Sequence, residues 1–343
     1  MTVIANVVGR VAVLRGSRYS VEVDVLTNSG FGRFASPVDE SPSLYIAEAH
    51  RAVSEVDEII GPELIGLDAS EQELIDSYLW EIDGTDDFSH IGANTALAVS
   101  VAVAKAAAGV RKSPLYSYLG GTFTTELPVP ILEVASGDDF DYYVTVRDLM
   151  EITDIVDAAI KVSENVVAPD MGVEALSKST ERASNELGLD VALGLAQKRP
   201  LETEEVLSLV EDNNIAYIKP LGDEELFLEL IAGTHEVFID GEYLFREKGI
   251  LDRRYFNALS IKPINLGTLT DLYNLVNDAK SERIVPILSE ARYESSDEAL
   301  AHVAVGLRCP AMVFRKDSIA KLNELIRIAE DLGERGRIIT FEG

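Results

Sequence analysis

An alanine- and valine-rich stretch late in the first third of the chain constrains the fold more than any other segment. Its sequence ANTALAVSVAVAKAAAG follows a polar turn at residues 83–90 and closes on Gly109. These start and stop signals, together with the apolar spacing, predict one amphipathic helix. A short segment containing Pro114 then leads to a double glycine at residues 120–121.

The residues before this helix predict a small antiparallel meander. Residues 3–14 are rich in β-branched side chains. At residues 21–25 valines alternate with acidic residues, which is the period of a half-buried strand. A turn at residues 28–30 leads into a returning strand at 31–34.

Two further helices are predicted between the meander and the alanine-rich helix. One runs from about Ser43 to Ile60. The other begins at Ser70, where Glu73 three residues later completes a capping box. Strands and helices together predict an α+β domain that ends near Thr125.

The remainder of the chain alternates short apolar runs with helical stretches. The strand candidates are Val129–Val134, Asp148–Ile152, Val191–Leu195, Ala216–Ile218, Val237–Ile239, Leu259–Ile261, Ile284–Leu288 and Ala311–Phe314. Eight strands in roughly 215 residues fit a closed α/β barrel, whose active site lies at the carboxyl ends of the strands. We therefore predict one domain at residues 1–125 and a barrel domain at residues 126–343.

The amino-acid sequence of the alanine-rich region resembles that of one protein family. The strings DGT, GAN, AVAKAAAG, PLYSYLGG and LPVP follow one another between residues 83 and 130. This order is similar to the end of the N-terminal domain of enolase. The resemblance implies an α+β N-terminal domain, an antiparallel meander plus helices, followed by an enolase-type α/β (TIM-like) barrel. The chain resembles a divergent, archaeal-type enolase-like paralogue.

The resemblance implies roles for several residues. In NALSIKPINLGTLT, Lys262 falls on the catalytic base, which removes the proton α to the carboxylate and must therefore offer a neutral amine. In SENVVAPDMG, Glu164 falls on the glutamate that helps expel the leaving hydroxyl. Asp148, in VRDLM, falls on another acid of the family. Ser41 falls on the serine of the family's mobile loop that helps to bind the second magnesium.

The family's magnesium ligands are mostly replaced. In the family, carboxylates at the ends of three successive strands hold this hard cation, which prefers oxygen ligands. By the match, the first position is Gly194 and the second is Ile218 or Lys219, whereas the third is kept as Glu242. One carboxylate of three holds the ion poorly. We therefore expect Lys219 to take the place of the lost ion and to pair with Glu242.

The substrate-binding segment is changed as well. The family's SHRSGE becomes SEARYE at residues 289–294. The family's histidine is replaced by Glu290, and the arginine that clamps the phosphate is replaced by Ala291. Glu290 and Arg292 remain the candidates for substrate binding, although Arg292 lies one position away from the clamp. The family's second active-site lysine has no counterpart in CPAMVFRKDS.

Three functions are compatible with these residues. The first is an enolase-like protein that keeps the fold, has lost 2-phosphoglycerate dehydratase activity and acts through binding, because losing several groups that act as a unit removes several powers of ten in rate. The second is an active carbon–oxygen lyase, either an enolase that forms phosphoenolpyruvate or another lyase with Lys262 as base and Glu164 as acid. Magnesium would serve the second function, and no cofactor is expected for the first. The third is a purely structural subunit.

The amino-acid composition limits the classes of partner that the protein can bind. Against 30 basic residues stand 59 acidic ones, a net charge of −29, which argues against nucleic acid and anionic membranes as partners. The single Cys309 excludes an internal disulfide and suits a reducing compartment. We see no apolar run of about 20 residues and no signal-peptide layout, so we expect a cytoplasmic protein. Arg15, Gly16 and Glu22 resemble the family's interface region, which implies a homodimer through the N-terminal domain.

Overall fold

The computed structural model describes residues 2–164 and 172–339. The chain packs as two units, which are described separately below. Unit 1 comprises Met1–Thr124, Lys262–Val276 and Glu290–Leu307, and unit 2 comprises Thr125–Ile261, Asn277–Ser289 and Arg308–Gly343. The boundary between residues 125 and 126 stays a prediction.

Unit 1 opens with the predicted meander. Three antiparallel strands lie in chain order: β1 (Ile4–Leu14), β2 (Arg18–Thr27) and β3 (Phe31–Ala35). The three alternating valines of β2 are fully buried. Asp24 on the same strand is also buried, because Arg10 and Arg33 both donate hydrogen bonds to its carboxylate. Despite the effect of burial, these guanidinium groups hold the pKa of Asp24 well below its usual range.

Five helices follow the meander, and a π-helical turn at Val56–Ile60 joins the first two. They are α1 (Ala49–Glu55), α2 (Gly61–Leu64), α3 (Gln72–Asp83), α4 (Ala93–Arg111) and α5 (Leu115–Gly120). The first helix begins later than predicted, because Glu48 caps it by accepting hydrogen bonds from the N–H groups of residues 50 and 51. The predicted capping box is wrong, since Ser70 donates to Asp68 and lies in the turn before α3.

Helix α4 is the predicted alanine-rich helix and forms the core of unit 1. Every residue from Ala93 to Ala104 is buried, and the helix packs on β2 and β3. Gly32 permits this close approach, because a Cβ atom there would lie 1.9 Å from the Ala102 carbonyl oxygen. The helix has the length and apolarity of a membrane span, but 83% of its apolar window is buried inside the protein, as is typical of a core helix.

Unit 2 contains the predicted barrel, and the fold class is confirmed. Its strands are β4 (Glu126–Leu127), β5 (Val129–Ser136), β6 (Phe140–Val146), β7 (Val191–Gln197), β8 (Ile215–Lys219), β9 (Phe238–Ile239), β10 (Ala258–Ile261), β11 (Val285–Ser289), β12 (Ala311–Phe314) and β13 (Arg337–Ile338). Strands β5 to β12 form one eight-stranded sheet in the order β10-β11-β12-β5-β6-β7-β8-β9. A parallel bridge between Asp240 and Ala258 closes β9 onto β10. Strands β4 and β13 pair separately.

The predicted second barrel strand at residues 148–152 is wrong. The strand is β6, and it runs antiparallel to both of its neighbours. Only three residues join it to β5, and so short a connection permits only an antiparallel return. Acidic residues at positions 138, 139 and 141 interrupt the apolar pattern, which hid the strand in the sequence.

Helices alternate with most of the barrel strands along the chain. They are α6 (Ile152–Glu164), α7 (Val173–Leu187), α8 (Thr203–Asp212), α9 (Glu224–Gly233), α10 (Glu242–Lys248), α11 (Leu269–Ser281), α12 (Ala299–Gly306) and α13 (Ile319–Leu332). Of these, α12 and the first part of α11 belong to unit 1. Alternate strand residues fill the barrel interior: Val129, Ile131, Tyr143, Ala196, Tyr217, Phe238, Ala258, Ile287, Ala311 and Val313. Polar side chains beyond this core, at the carboxyl ends of the parallel strands, are the ones that can carry chemistry.

Candidate active site

A lysine and a glutamate form an ion pair at the carboxyl end of the barrel strands in unit 2. Lys219 is the last residue of β8 and points to the same side as the core residue Tyr217, two positions earlier. Its ammonium group contacts Glu242 Oε2, and the two side chains are only 21% and 10% exposed. Ser260 Oγ accepts a hydrogen bond from Lys219 Nζ at 3.3 Å and donates to Glu242 Oε2 at 3.2 Å. The three side chains therefore form a closed polar cluster.

Asp240 fixes the position of this cluster. Its fully buried carboxylate accepts hydrogen bonds from Tyr217 Oη at 2.6 Å, from the backbone N–H of Ser260 at 2.8 Å and from that of Glu242 at 3.0 Å. Burial, and next the Asp240 carboxylate, raise the pKa of Tyr217 well above its usual value, so the phenol remains a donor. With its lone pairs engaged in this way, Asp240 positions Ser260 and Glu242.

The first predicted ligand position is crowded by aromatic rings. A Cβ atom at Gly194 would lie 3.0 Å from Tyr143 Cβ and 3.2 Å from Tyr217 Cδ1. The two tyrosine rings meet edge to face, with their centroids 5.9 Å apart. A carboxylate on residue 194 would therefore require at least one ring to move.

The donor set does not fit the magnesium that the family resemblance implies. Mg²⁺ demands near-octahedral oxygen coordination. Gly194 offers no side-chain oxygen, Ile218 points to the opposite face of β8, and Glu242 already contacts an ammonium group. Within residues 2–164 and 172–339, no group of three or more His, Cys, Asp or Glu side chains could hold a metal ion.

Unit 2 contains a second buried ion pair, which was not predicted from the sequence. Arg315 follows β12 and its Nε lies 2.9 Å from Glu133 Oε2 on β5, with exposed side-chain fractions of 15% and 8%. Burial, and next the Glu133 carboxylate, raise the pKa of the nearby Tyr143. The available signal was one acid inside the otherwise apolar run VPILEVA, where a charge needs a partner.

Lys262 carries a further ion pair, in unit 1. Its Nζ donates to Asp39 Oδ2 at 2.7 Å, and the two side chains are 20% and 7% exposed. The backbone N–H groups of Arg292 and Glu40 donate to Asp39 Oδ1 at 3.3 and 3.0 Å. Burial alone would raise the pKa of Asp39, but the Lys262 ammonium outweighs it and lowers that pKa. The predicted base is thus bound to an internal carboxylate.

The segment that supplies Asp39 comprises residues 36–48, between β3 and α1, and we name it segment 36–48. Val38 and Tyr293 exchange two backbone hydrogen bonds of 3.0 Å. Tyr293 Oη donates to Glu40 Oε1 at 2.8 Å, and Arg292 Nε lies 3.7 Å from the same oxygen. Ser41, the predicted magnesium-loop serine, is exposed in this segment.

The remaining predicted residues have different surroundings. Glu164 ends α6 with a 59% exposed side chain that lies 3.4 Å from Lys161, and Glu290 is buried directly after β11. Asp148 accepts a hydrogen bond from the backbone N–H of Asp190, beside the start of β7. Asp148 is therefore at the amino end of that strand, and this placement gives its predicted acid role no support. Residues 165–171 of the matched SENVVAPDMG motif lie outside the described residues.

Comparison with known proteins identifies the family. The model of the enolase N-terminal domain matches residues 4–119, and that of the enolase C-terminal TIM barrel domain matches residues 240–341. The chain is 34% identical to an enolase of Methanosphaera stadtmanae over 91% of its length and 93% of that protein. Enolases of Methanothermobacter thermautotrophicus and Halorubrum lacusprofundi are 33% and 31% identical, again over 91% of this chain and over 93% and 95% of their own lengths. The chain therefore belongs to the enolase family.

Proposed function

We propose that this protein keeps the enolase fold, does not catalyse the dehydration of 2-phosphoglycerate, and acts by binding. The Lys219–Glu242 ion pair carries this proposal. A magnesium ion at Glu242 would have to displace the ammonium group or lie beside it. Two like unit charges 4 Å apart repel by about 4 kcal/mol at an effective dielectric constant near 20, and a divalent ion doubles that term. The one retained carboxylate is thus better matched to the lysine than to the metal.

The state of Lys262 gives separate support. A general base must present an unprotonated amine to the proton that it removes. Lys262 Nζ instead donates to the Asp39 carboxylate at 2.7 Å, so an internal acceptor already engages it. The candidate base would therefore have to lose this partner before it could act.

Changes beside the substrate-binding positions agree with the proposal. Ala291, which is 1% exposed, stands where the resemblance implies the arginine that clamps the phosphate. The preceding residue, Glu290, is a carboxylic acid buried to 2% exposure. Without the guanidinium group, a phosphate monoester loses its bidentate partner. These positions suit a ligand less anionic than 2-phosphoglycerate.

An active enolase remains the second candidate. The relatives that cover most of this chain are named enolases. This chain also retains Lys262, Glu164 and Glu242 at positions that match the family's base, acid and third metal ligand. An active enzyme would need Lys219 to leave Glu242 and Asp39 to leave Lys262 when substrate and metal bind.

A turnover assay decides between the two candidates. The full chain is incubated with 2-phosphoglycerate and Mg²⁺ at low and at molar salt, and the enol product is followed by its ultraviolet absorbance. The matched control is the Lys262→Ala variant, and a known enolase confirms that each buffer supports the reaction. We expect wild type and variant to be equally inactive. Turnover above about 1 per second in wild type alone lies in the ordinary enzyme range and would overturn the proposal.

A further inference from the structure

The Asp39 carboxylate occupies a defined anion seat in unit 1. One carboxylate oxygen accepts from Lys262 Nζ at 2.7 Å, and the other accepts from the backbone N–H of Arg292 at 3.3 Å. We define the anion seat as these two donors, the ammonium of Lys262 and the N–H of Arg292. We propose that the anion seat binds a small dicarboxylate and that Asp39 is its built-in competitor, which the ligand displaces. The inference deepens the proposed function, on which it rests, by naming a ligand class.

The geometry of the anion seat is suited to any carboxylate. A carboxylate has two acceptor oxygens, and charge-assisted hydrogen bonds to it are the strong ones. The seat supplies one cationic and one neutral donor, and it excludes solvent well enough to leave Asp39 only 7% exposed. None of these properties depends on the carboxylate being part of the chain.

Segment 36–48 is anchored at its two ends by backbone hydrogen bonds of Ser36, Tyr45 and Ala47, whereas the part around Asp39 has fewer contacts. The contacts around Asp39 are the two backbone hydrogen bonds between Val38 and Tyr293, the hydrogen bond from Ser43 N–H to Asn265 Oδ1 at 3.2 Å, and those of Glu40, whose side chain is 59% exposed. Arg292, the charged partner of Glu40, is 42% exposed, and exposed pairs of this kind contribute about 0–1 kcal/mol. Asp39 can therefore leave the seat by a movement of the residues around it, while both ends of the segment keep their hydrogen bonds.

A cavity beside Asp39 offers space for the rest of the ligand. It encloses about 700 Å³, and its wall includes Arg18, Asp39, Glu40, Glu48 and Tyr293. The two glutamates already accept hydrogen bonds, from Tyr293 Oη and from the first turn of α1. The Arg18 guanidinium lies over the Tyr293 ring at 4.9 Å, and the described residues give it no carboxylate partner.

Arg18 is thus the cation on the cavity wall whose charge is not neutralised by an acid of the described chain. A ligand with one carboxylate on the anion seat has room for a second carboxylate directed toward this guanidinium. Charge complementarity between two cations and two carboxylates is the reason for choosing a dicarboxylate rather than a monocarboxylate.

Calorimetric titration with malonate, in EDTA and without 2-phosphoglycerate, tests this inference. The variants are Asp39→Asn, the matched control Glu40→Gln, and the double variant Asp39→Asn/Lys262→Met. Both single variants remove one negative charge from segment 36–48, but only the first removes it from the anion seat. The same proteins are also titrated with acetate, a monocarboxylate, for comparison with the dicarboxylate.

The inference makes a specific prediction for each titration. Removing a competitor strengthens apparent binding by the inverse of the fraction of time that the seat is empty, so the gain is large when the competitor fills the seat most of the time. We expect Asp39→Asn to bind malonate at least about tenfold more tightly than wild type, a gain of about 1.4 kcal/mol. Glu40→Gln should stay within about twofold of wild type, and the double variant should lose the gain. Acetate should gain by a similar factor, but it should bind more weakly than malonate to both proteins, because it has no second carboxylate for Arg18.

Several results would overturn the inference: no gain in Asp39→Asn, an equal gain in Glu40→Gln, or a gain that survives in the double variant. If Asp39→Asn fails to fold, the side-chain ammonium signal of Lys262 in wild type, assigned by NMR with Lys262→Arg, replaces it. A saturable shift of that signal with malonate supports displacement, and an unmoved signal at saturating malonate refutes it. The titration contains neither metal nor 2-phosphoglycerate, so its result does not depend on enolase activity. Turnover in the separate assay would overturn the proposed function but would leave this inference to be decided by the titration.

Discussion

Lys219 at the end of β8 and Glu242 at the start of α10 neutralise each other at the carboxyl end of the barrel strands, with Ser260 bonded to both. The pair balances charge locally without a metal, because the ammonium stands beside the carboxylate that the resemblance matches to the family's third ligand position. Tyr143 and Tyr217 complete this arrangement by filling the space beside Gly194.

Breaking the Lys219–Glu242 pair from one side should destabilise unit 2. We expect Lys219→Met to lower the free energy of unfolding by about 3–5 kcal/mol, because it leaves the Glu242 carboxylate buried without its cation. The double variant Lys219→Met/Glu242→Gln should recover most of this loss. Urea unfolding followed by circular dichroism measures each value.

The matched control for that prediction is Lys248→Met. Lys248 pairs with Glu224 at 2.7 Å, but both side chains are more than 40% exposed. Exposed pairs contribute about 0–1 kcal/mol, so this variant should unfold nearly as wild type does. Equal losses in Lys219→Met and Lys248→Met would show that the Lys219–Glu242 pair has no special energetic role.

Adding even one methyl group at Gly194 should strain the barrel interior. The Gly194→Ala side chain would meet Tyr143 and Tyr217 at 3.0 and 3.2 Å, so we expect a loss of about 1–3 kcal/mol from overpacking. Gly233→Ala is the control, because a Cβ atom there meets nothing within 4 Å. If Gly194→Ala unfolds at the same urea concentration as its control, the tyrosines do not block this position.

Acid should remove the contribution of Asp39 to stability. Its pKa is lowered in the folded protein, so the Asp39–Lys262 pair stabilises unit 1 above the ordinary aspartate pKa of about 3.9. This contribution is lost as the pH falls through the lowered pKa. The difference in unfolding free energy between wild type and Asp39→Asn should therefore shrink from about pH 5 downward. A difference that is constant or that grows on acidification would contradict the ion pair.

Cys309 should react with thiol reagents only after unfolding. Burial raises the pKa of its thiol to about 12, with Lys280 opposing the shift. At pH 8 the thiolate fraction is then about one in ten thousand, and the sulfur is also inaccessible. We expect the native protein to react with a chromogenic disulfide far more slowly than Ser281→Cys, which adds an exposed thiol. Comparable rates in the two proteins would show that Cys309 is accessible.

Local patterns predicted much of the fold. The alternating valines of β2 and the alanine-rich helix α4 both occur where expected, because burial of one face leaves a period in the sequence. The failures lie where charges interrupt that period. Strand β6 was missed for this reason, and Ser70 bonds locally to Asp68 instead of capping α3.

The candidate site was less predictable because its pairs join distant parts of the chain. The Lys219–Glu242 pair was expected, since Glu242 matches one metal-ligand position of the family and either Ile218 or Lys219 matches another. Asp39 and Lys262 are 223 residues apart, and segment 36–48 has no periodic pattern that would place it. No single-sequence signal pairs a loop carboxylate with one lysine among many.

Titration of Mn²⁺ into wild type and into Glu242→Gln, followed by the electron paramagnetic resonance signal of the free ion, tests the central claim most directly. If Lys219 occupies the cation position, the two proteins should give the same weak binding curve, produced by their acidic surfaces. One tight ion per chain in wild type that disappears in Glu242→Gln would contradict the account.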